Sequence, residues 1–139
     1  MLSDTRLTAD IFQLADSRIF RDPVDLSVLA GYESIQLDGE TDLVVELIDL
    51  YFDEVPRRVQ AMREAMRLTD GKSLASAAHA LRGSSGNLGA LQVAQICTEI
   101  EGLGSVEKWS HLPSLLSWLE LECEIALHIF MQERRTRMR

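Results

Sequence analysis

Apolar positions along this chain recur at steps of three and four, and no stretch alternates with period two over a convincing strand length. The pattern predicts helices throughout. Thr8 to about Phe20 carries Ile11, Phe12, Leu14, Ala15, Ile19 and Phe20, an amphipathic helix that either covers one end of the domain or links to an upstream module. Asp22-Pro23-Val24-Asp25 stops it, and Asp25 is placed to cap a short helix through Tyr32. Leu37-Asp38-Gly39-Glu40 reads as a turn. A long helix follows from about Asp42 to Leu68, with Thr41 as cap and Leu43, Leu47, Leu50, Val55, Val59, Met62 and Met66 as its inner face. Val44, Ile48, Tyr51 and Phe52 are surplus to that stripe, so its first half is covered on more than one side or presents a docking patch. Pro56 lies inside it.

Further helices are predicted over Ser73–Leu88, over about Ala90–Leu103, and over about Glu107–Gln132. The last carries the stripe Leu112, Leu116, Leu119, Cys123, Ala126 and Phe130. Pro113 either kinks it or marks its true first turn. Short connections make neighbours antiparallel. The expected fold is all-α: an up-down-up-down four-helix bundle over residues 25–133, with one or two additional N-terminal helices and a basic tail over 134–139.

One stretch breaks the rules of the helix that contains it. In His79-Ala80-Leu81-Arg82-Gly83-Ser84-Ser85-Gly86-Asn87-Leu88-Gly89-Ala90, the residues Leu74, Ala78, Leu81, Ser85 and Leu88 form one inward stripe. His79, Arg82, Gly83 and Gly86 share a different face. A glycine inside a helix costs about 1 kcal/mol relative to alanine. Two of them beside a histidine and an arginine suggest that something approaches this face closely.

The run His79-x-Leu81-Arg82-Gly83-Ser84-Ser85-x-x-x-Gly89-Ala90 resembles the phosphoacceptor helix of histidine-containing phosphotransfer (HPt) domains. The family motif has a lysine where this chain has Arg82. The charge is kept, but a flexible ammonium becomes a planar fork. The resemblance extends from about Asp25 to Met131. It implies a phosphorelay intermediate that accepts a phosphoryl group on His79 from the phosphoaspartate of a receiver domain and passes it to the aspartate of another. Receiver domains of a hybrid histidine kinase or a response regulator are the implied partners. They supply the magnesium ion and most of the chemistry, so the chain is a phosphocarrier with no cofactor of its own, expected to act as a monomer. Arg82 then offsets phosphoryl charge, and Gly83 and Gly86 leave room for the docking partner.

The chemistry of the residues agrees with that role. An ordinary imidazole, with a pKa of about 6.5, is mostly neutral at cellular pH and can attack phosphorus through an exposed ring nitrogen. Glu101 follows from counting: the hairpin turns near Gly89-Ala90, and His79 and Glu101 stand at nearly the same level on either side of it. A carboxylate there would fix the ring and its tautomer; several HPt domains are similar in using a glutamine. The plainer alternative is a solvated surface glutamate. Of the other histidines, His111 is expected at a helix start and His128 in a half-buried structural position. A helical docking module without turnover, its His79 vestigial, is the second reading. An enzyme is the third, disfavoured because no Glu-x-x-His pair, phosphate loop or nucleophile elbow occurs.

Composition narrows the rest. The 139 residues suffice for one domain with a real core, and a formal net charge of -8 argues against a nucleic-acid partner. The arginines Arg134, Arg135, Arg137 and Arg139 crowd the C-terminus and are expected to form a frayed, soluble end. Cys97 and Cys123 fall on apolar stripes, which favours inert core thiols over a disulfide. No apolar run is long enough to span a membrane and no signal-peptide core opens the chain, so a cytoplasmic setting without membrane contact is expected. Whether the chain stands alone or belongs to a hybrid kinase is left open at this level.

Overall fold

The computed structural model describes residues 22–138, so the helix expected over Thr8–Phe20 lies outside the described residues. Five helices are present: α1 (Ser27–Glu33), α2 (Leu43–Arg67), α3 (Gly71–Leu88), α4 (Leu91–Ser105) and α5 (Leu112–Arg137). Each of α2 to α5 packs on its neighbour in sequence, and α2 closes the ring against α5. The result is the expected antiparallel four-helix bundle, and no strand occurs among the described residues. The short α1 lies across α2 and α3.

The stripes on α3 and α5 are as the sequence predicts. Leu74, Ala78, Leu81, Ser85 and Leu88 are buried, as are Leu112, Leu116, Leu119, Cys123, Ala126 and Phe130. Each fully buried leucine on these stripes contributes roughly 1.5–3 kcal/mol. The first half of α2 is different. Its core face is Val44, Ile48, Tyr51, Val55, Val59 and Met62, whereas Leu50 is 64% exposed and Leu47 only partly covered. Of the residues that look surplus, Val44, Ile48 and Tyr51 are core ones and Phe52 packs partly buried against them. Counting back from Val55 by four, three and four reaches Tyr51, Ile48 and Val44, and the aromatic ring decides the register. Tyr51 packs edge-on against Phe130, with ring centroids 5.6 Å apart. Its hydroxyl reaches the Ser85 hydroxyl at 2.6 Å, which satisfies both buried oxygens. Burial pushes the Tyr51 hydroxyl far above its ordinary pKa.

Several boundaries move for local reasons. Asp42, rather than Thr41, caps α2, because one carboxylate oxygen accepts from both Val44 and Val45 N–H groups at 2.9 and 3.3 Å. Asp70 likewise caps α3 through Ser73 N–H at 3.0 Å. The last helix begins at Leu112 rather than near Glu107, since Glu107 takes a left-handed φ of 55° and Pro113 occupies the first turn.

Through Arg137 the arginine-rich end is helical rather than frayed. Helix α5 continues through Arg137; Arg134 pairs with Asp49 at 2.7 Å, and Arg137 with Glu33, Asp42 and Glu133. Cations in a last turn also suit the helix dipole. Both cysteines are buried and free, and burial pushes the Cys123 thiol up to about 12 and the Cys97 thiol higher still.

The turn that sets the level of the site is a Schellman motif. Gly89 adopts φ 85°, Ala90 N–H donates to Ser85 C=O at 2.8 Å, and Gly89 N–H donates to Gly86 C=O at 3.1 Å. The incoming chain locks it from outside, with Asp25 N–H donating to Gly89 C=O at 2.7 Å. Tyr32 of α1 donates to Asn87 C=O at 2.8 Å.

Candidate functional site

Helix α3 turns its buried stripe toward the core, and this leaves His79, Arg82, Gly83 and Gly86 on its outer side. The His79 side chain is 62% exposed. Gly83 and Gly86 are exposed as well. A Cβ built on either glycine meets nothing within 4 Å. Among the described residues no packing contact therefore requires either glycine.

Glu101 on α4 stands opposite His79, at the level the hairpin count predicts. Its Oε2 lies 2.9 Å from His79 Nδ1. Arg82, one turn along α3, places Nη2 2.9 Å from the same Nδ1 and 3.6 Å from Glu101 Oε1. Nδ1 cannot serve both neighbours as a hydrogen-bond partner. A carboxylate can only accept and a guanidinium can only donate. With the proton on Nδ1 the ring donates to Glu101 and Arg82 rests its charge against the carboxylate; with it on Nε2, Nδ1 accepts from Arg82. In the first of these arrangements Nε2 keeps its lone pair on a ring that is largely exposed. The solvated-glutamate reading of Glu101 does not hold in this geometry.

Two contacts that sequence reasoning missed brace the same helix. Ser84 donates to Glu54 Oε2 of α2 at 3.0 Å, and Glu54 in turn pairs with Arg58 at 3.3 Å. Ser85 meets Tyr51, as above. The two adjacent serines in the motif are the signal, since a small polar pair beside a core stripe invites cross-helix hydroxyl bonds.

The remaining histidines do not join the site. His111 sits at the N-terminal boundary of α5, exposed, with no side-chain capping bond. His128 is exposed rather than half-buried, although Trp118 and Ile125 on the same stripe are partly covered. Among the described residues no group of three His, Cys, Asp or Glu side chains is arranged to hold a metal ion. No described helix is long and apolar enough to cross a membrane.

Comparison with known proteins bears on the family and the fold. The family model described as the Hpt domain matches residues 46–133. Histidine-containing phosphotransfer protein 2 of Arabidopsis thaliana is 25% identical over 93 residues, covering 65% of this chain and 60% of its own length. Histidine-containing phosphotransfer protein 5 of the same plant is 32% identical over 66 residues, covering 45% of this chain and 42% of its own. Multistep phosphorelay regulator 1 of Schizosaccharomyces pombe is 28% identical over 83 residues, 60% of this chain but only 28% of that protein. The chain thus spans less than two thirds of the length of each of these curated relatives. Among solved structures, histidine-containing phosphotransfer protein B from Pseudomonas aeruginosa PAO1 superposes with a TM-score of 0.75 at 27% identity, over 84% of this chain and 97% of that one. With its family model covering most of the bundle, and with this fold, the chain belongs to the Hpt domain family.

Proposed function

We propose that this chain is a phosphorelay intermediate whose acceptor atom is His79 Nε2. The observation that carries the reading is the exposed imidazole held at Nδ1 by Glu101, 2.9 Å away, beside two glycines that no internal contact requires. In the forward step, the Nε2 lone pair attacks the phosphorus of a receiver domain's acyl phosphate. An N–P bond forms and the bond from phosphorus to the aspartate oxygen breaks, returning the aspartate as a free carboxylate. The ring becomes a phosphorylated imidazolium. Its Nδ1 proton stays on the hydrogen bond to Glu101, whose negative charge offsets the new positive one. Arg82 is near enough to turn from Glu101 toward the incoming phosphoryl oxygens, where its charge is useful. Passing the group to a second receiver reverses these steps.

In this reading the chain carries the phosphoryl group rather than turning over a substrate of its own. The magnesium ion belongs to the receiver, and the bundle works as a monomer in the cytoplasm. The fold supports it by keeping the acceptor helix rigid: α3 is capped at Asp70, locked at Gly89 and braced at Ser84 and Ser85.

The test is phosphoryl transfer from a phosphorylated receiver domain to the wild-type chain and to His79→Gln, side by side. The expected result is a label on the wild type that survives base, as phosphohistidine does and phosphoaspartate does not, and no label on the variant. A label of equal strength on the variant would refute the assignment. Binding without label on either chain would favour a docking module without turnover.

A further inference from the structure

Helix α3 has a guanidinium–carboxylate pair on each flank. On the α4 side it is Arg82 with Glu101, 3.6 Å apart. On the α2 side it is Arg58 with Glu54, 3.3 Å apart. Both pairs are turned the same way. The Arg58 and Arg82 side chains are each 39% exposed, whereas those of Glu54 and Glu101 are 20% and 27% exposed. The cations stand outward and the carboxylates lie beneath them. Ser84 holds Glu54 down, its hydroxyl donating to Oε2 at 3.0 Å, and Arg58 Nε–H donates to that same oxygen. That bond engages one of the five donors on the guanidinium fork.

The level of Arg58 follows from counting. Helices α2 and α3 run antiparallel, with Tyr51 opposite Ser85 and Glu54 opposite Ser84. Counting up α2 from either contact, and down α3 by the same number, puts Arg58 between the levels of Ala78 and Ala80. That is the level of His79. Arg58 also shares the α3-facing side of α2 with Glu54, because four residues along a helix return to the same face. Folding gains little from such an arrangement, since a largely solvated ion pair adds little stability. The chain carries a net charge of -8, so most of its surface repels an acidic partner and outward cations mark where one is received. The partner that the phosphotransfer reading requires brings an acyl phosphate to His79, and with it the carboxylate that transfer regenerates. Arg82 serves the phosphoryl group itself. Arg58, on the other flank, meets what borders it.

We propose that Arg58 is the second cation of the docking face and pairs with a carboxylate side chain of the receiver domain, at the border of its phosphorylated aspartate. This rests on the phosphotransfer reading and adds to it a residue that sets which receivers dock. A receiver with a basic side chain at that border is disfavoured by like charge. The chemical step is untouched, because Arg58 meets the partner's surface rather than the phosphoryl group.

Transfer from a receiver domain phosphorylated with acetyl phosphate tests it, with the receiver concentration varied and wild type, Arg58→Ala, Arg58→Glu, Arg58→Lys and Glu54→Gln compared. Arg58→Ala should raise KM about fivefold and Arg58→Glu about twentyfold or more, each with kcat within about twofold of the wild type. Arg58→Lys should keep KM within about threefold, since the charge stays although the fork is lost. Glu54→Gln breaks the same internal pair but keeps the cation, so its KM should stay within about twofold. With the wild type labelled, an unchanged KM in Arg58→Glu would overturn this inference alone. So would a rise in KM as large in Glu54→Gln as in Arg58→Ala, which would make the pair a structural one. No label on any chain, wild type included, would overturn the phosphotransfer reading and this inference with it.

Discussion

Helix α3 and its C-terminal turn hold glycines of two kinds, and the contrast between them bears on the proposed function. At its ends, Gly71 and Gly89 are pressed against other parts of the chain. A Cβ on Gly71 would collide with the Gly104 carbonyl oxygen of α4, and one on Gly89 with the Asp25 carbonyl oxygen. Gly89 also needs its left-handed φ of 85°. Gly83 in the middle and Gly86 in the last turn meet no described neighbour at the Cβ position and have ordinary helical backbones, and Gly83 carries the interior propensity cost of about 1 kcal/mol. The fold explains the end glycines completely and the middle ones not at all. A cost that no described neighbour returns, on the same face as an exposed histidine, is what the proposed docking of another molecule would account for.

The largest effect should come from the ends. Gly89→Val sets a branched side chain at a positive φ and against the Asp25 carbonyl, and it should lower unfolding stability by about 3 kcal/mol in urea titration. Gly71→Val should approach the same loss. Little change in either would show that the ends are looser than their contacts imply. Next, Glu101→Ala should slow phosphoryl transfer to the chain about tenfold, by freeing the ring and its tautomer, while the melting temperature stays put. An unchanged rate would remove Glu101 from the mechanism. Smaller again, Gly83→Ala should raise stability by up to about 1 kcal/mol, because it gains helix propensity and meets no neighbour. A loss of stability there would contradict the claim of open space.

The smallest effect is a pH dependence at the packed end. Hydrogen bonds from the Ser73 hydroxyl and backbone N–H hold the Asp70 carboxyl below its ordinary value. Its contribution is therefore complete above the ordinary carboxylate range and is lost as pH falls through the lower folded value. Asp70→Asn should flatten that part of the acid-unfolding curve.

Much of this contrast is legible in the amino-acid sequence. The stripes of α3 and α5 follow from period alone, because each is a single row with no competing apolar neighbours. The height of Glu101 opposite His79 follows from counting along a tight hairpin. The first half of α2 defeats the same logic, since Leu43, Leu47 and Leu50 form as regular a row as Val44, Ile48 and Tyr51. The choice rests on Tyr51 reaching Ser85 and Phe130, partners 34 and 79 positions away in sequence. The C-terminal arginines mislead for a similar reason. Asp49, Glu33 and Asp42, which hold them in helix, become neighbours only when the bundle closes. Contacts made within a hairpin can be read by counting, whereas contacts made across the bundle cannot.

The proposed function has the outer face of α3 at Gly83 serve a partner rather than the fold. One variant measured twice puts this to the proof: Gly83→Phe, for the rate of phosphoryl transfer from a receiver domain and for stability to urea. Transfer should fall by about a hundredfold or more, as expected when a bulky side chain blocks the close approach that transfer needs, with stability within about 1 kcal/mol of the wild type. Transfer at the wild-type rate, or a loss of stability large enough to explain the lost transfer, would contradict it.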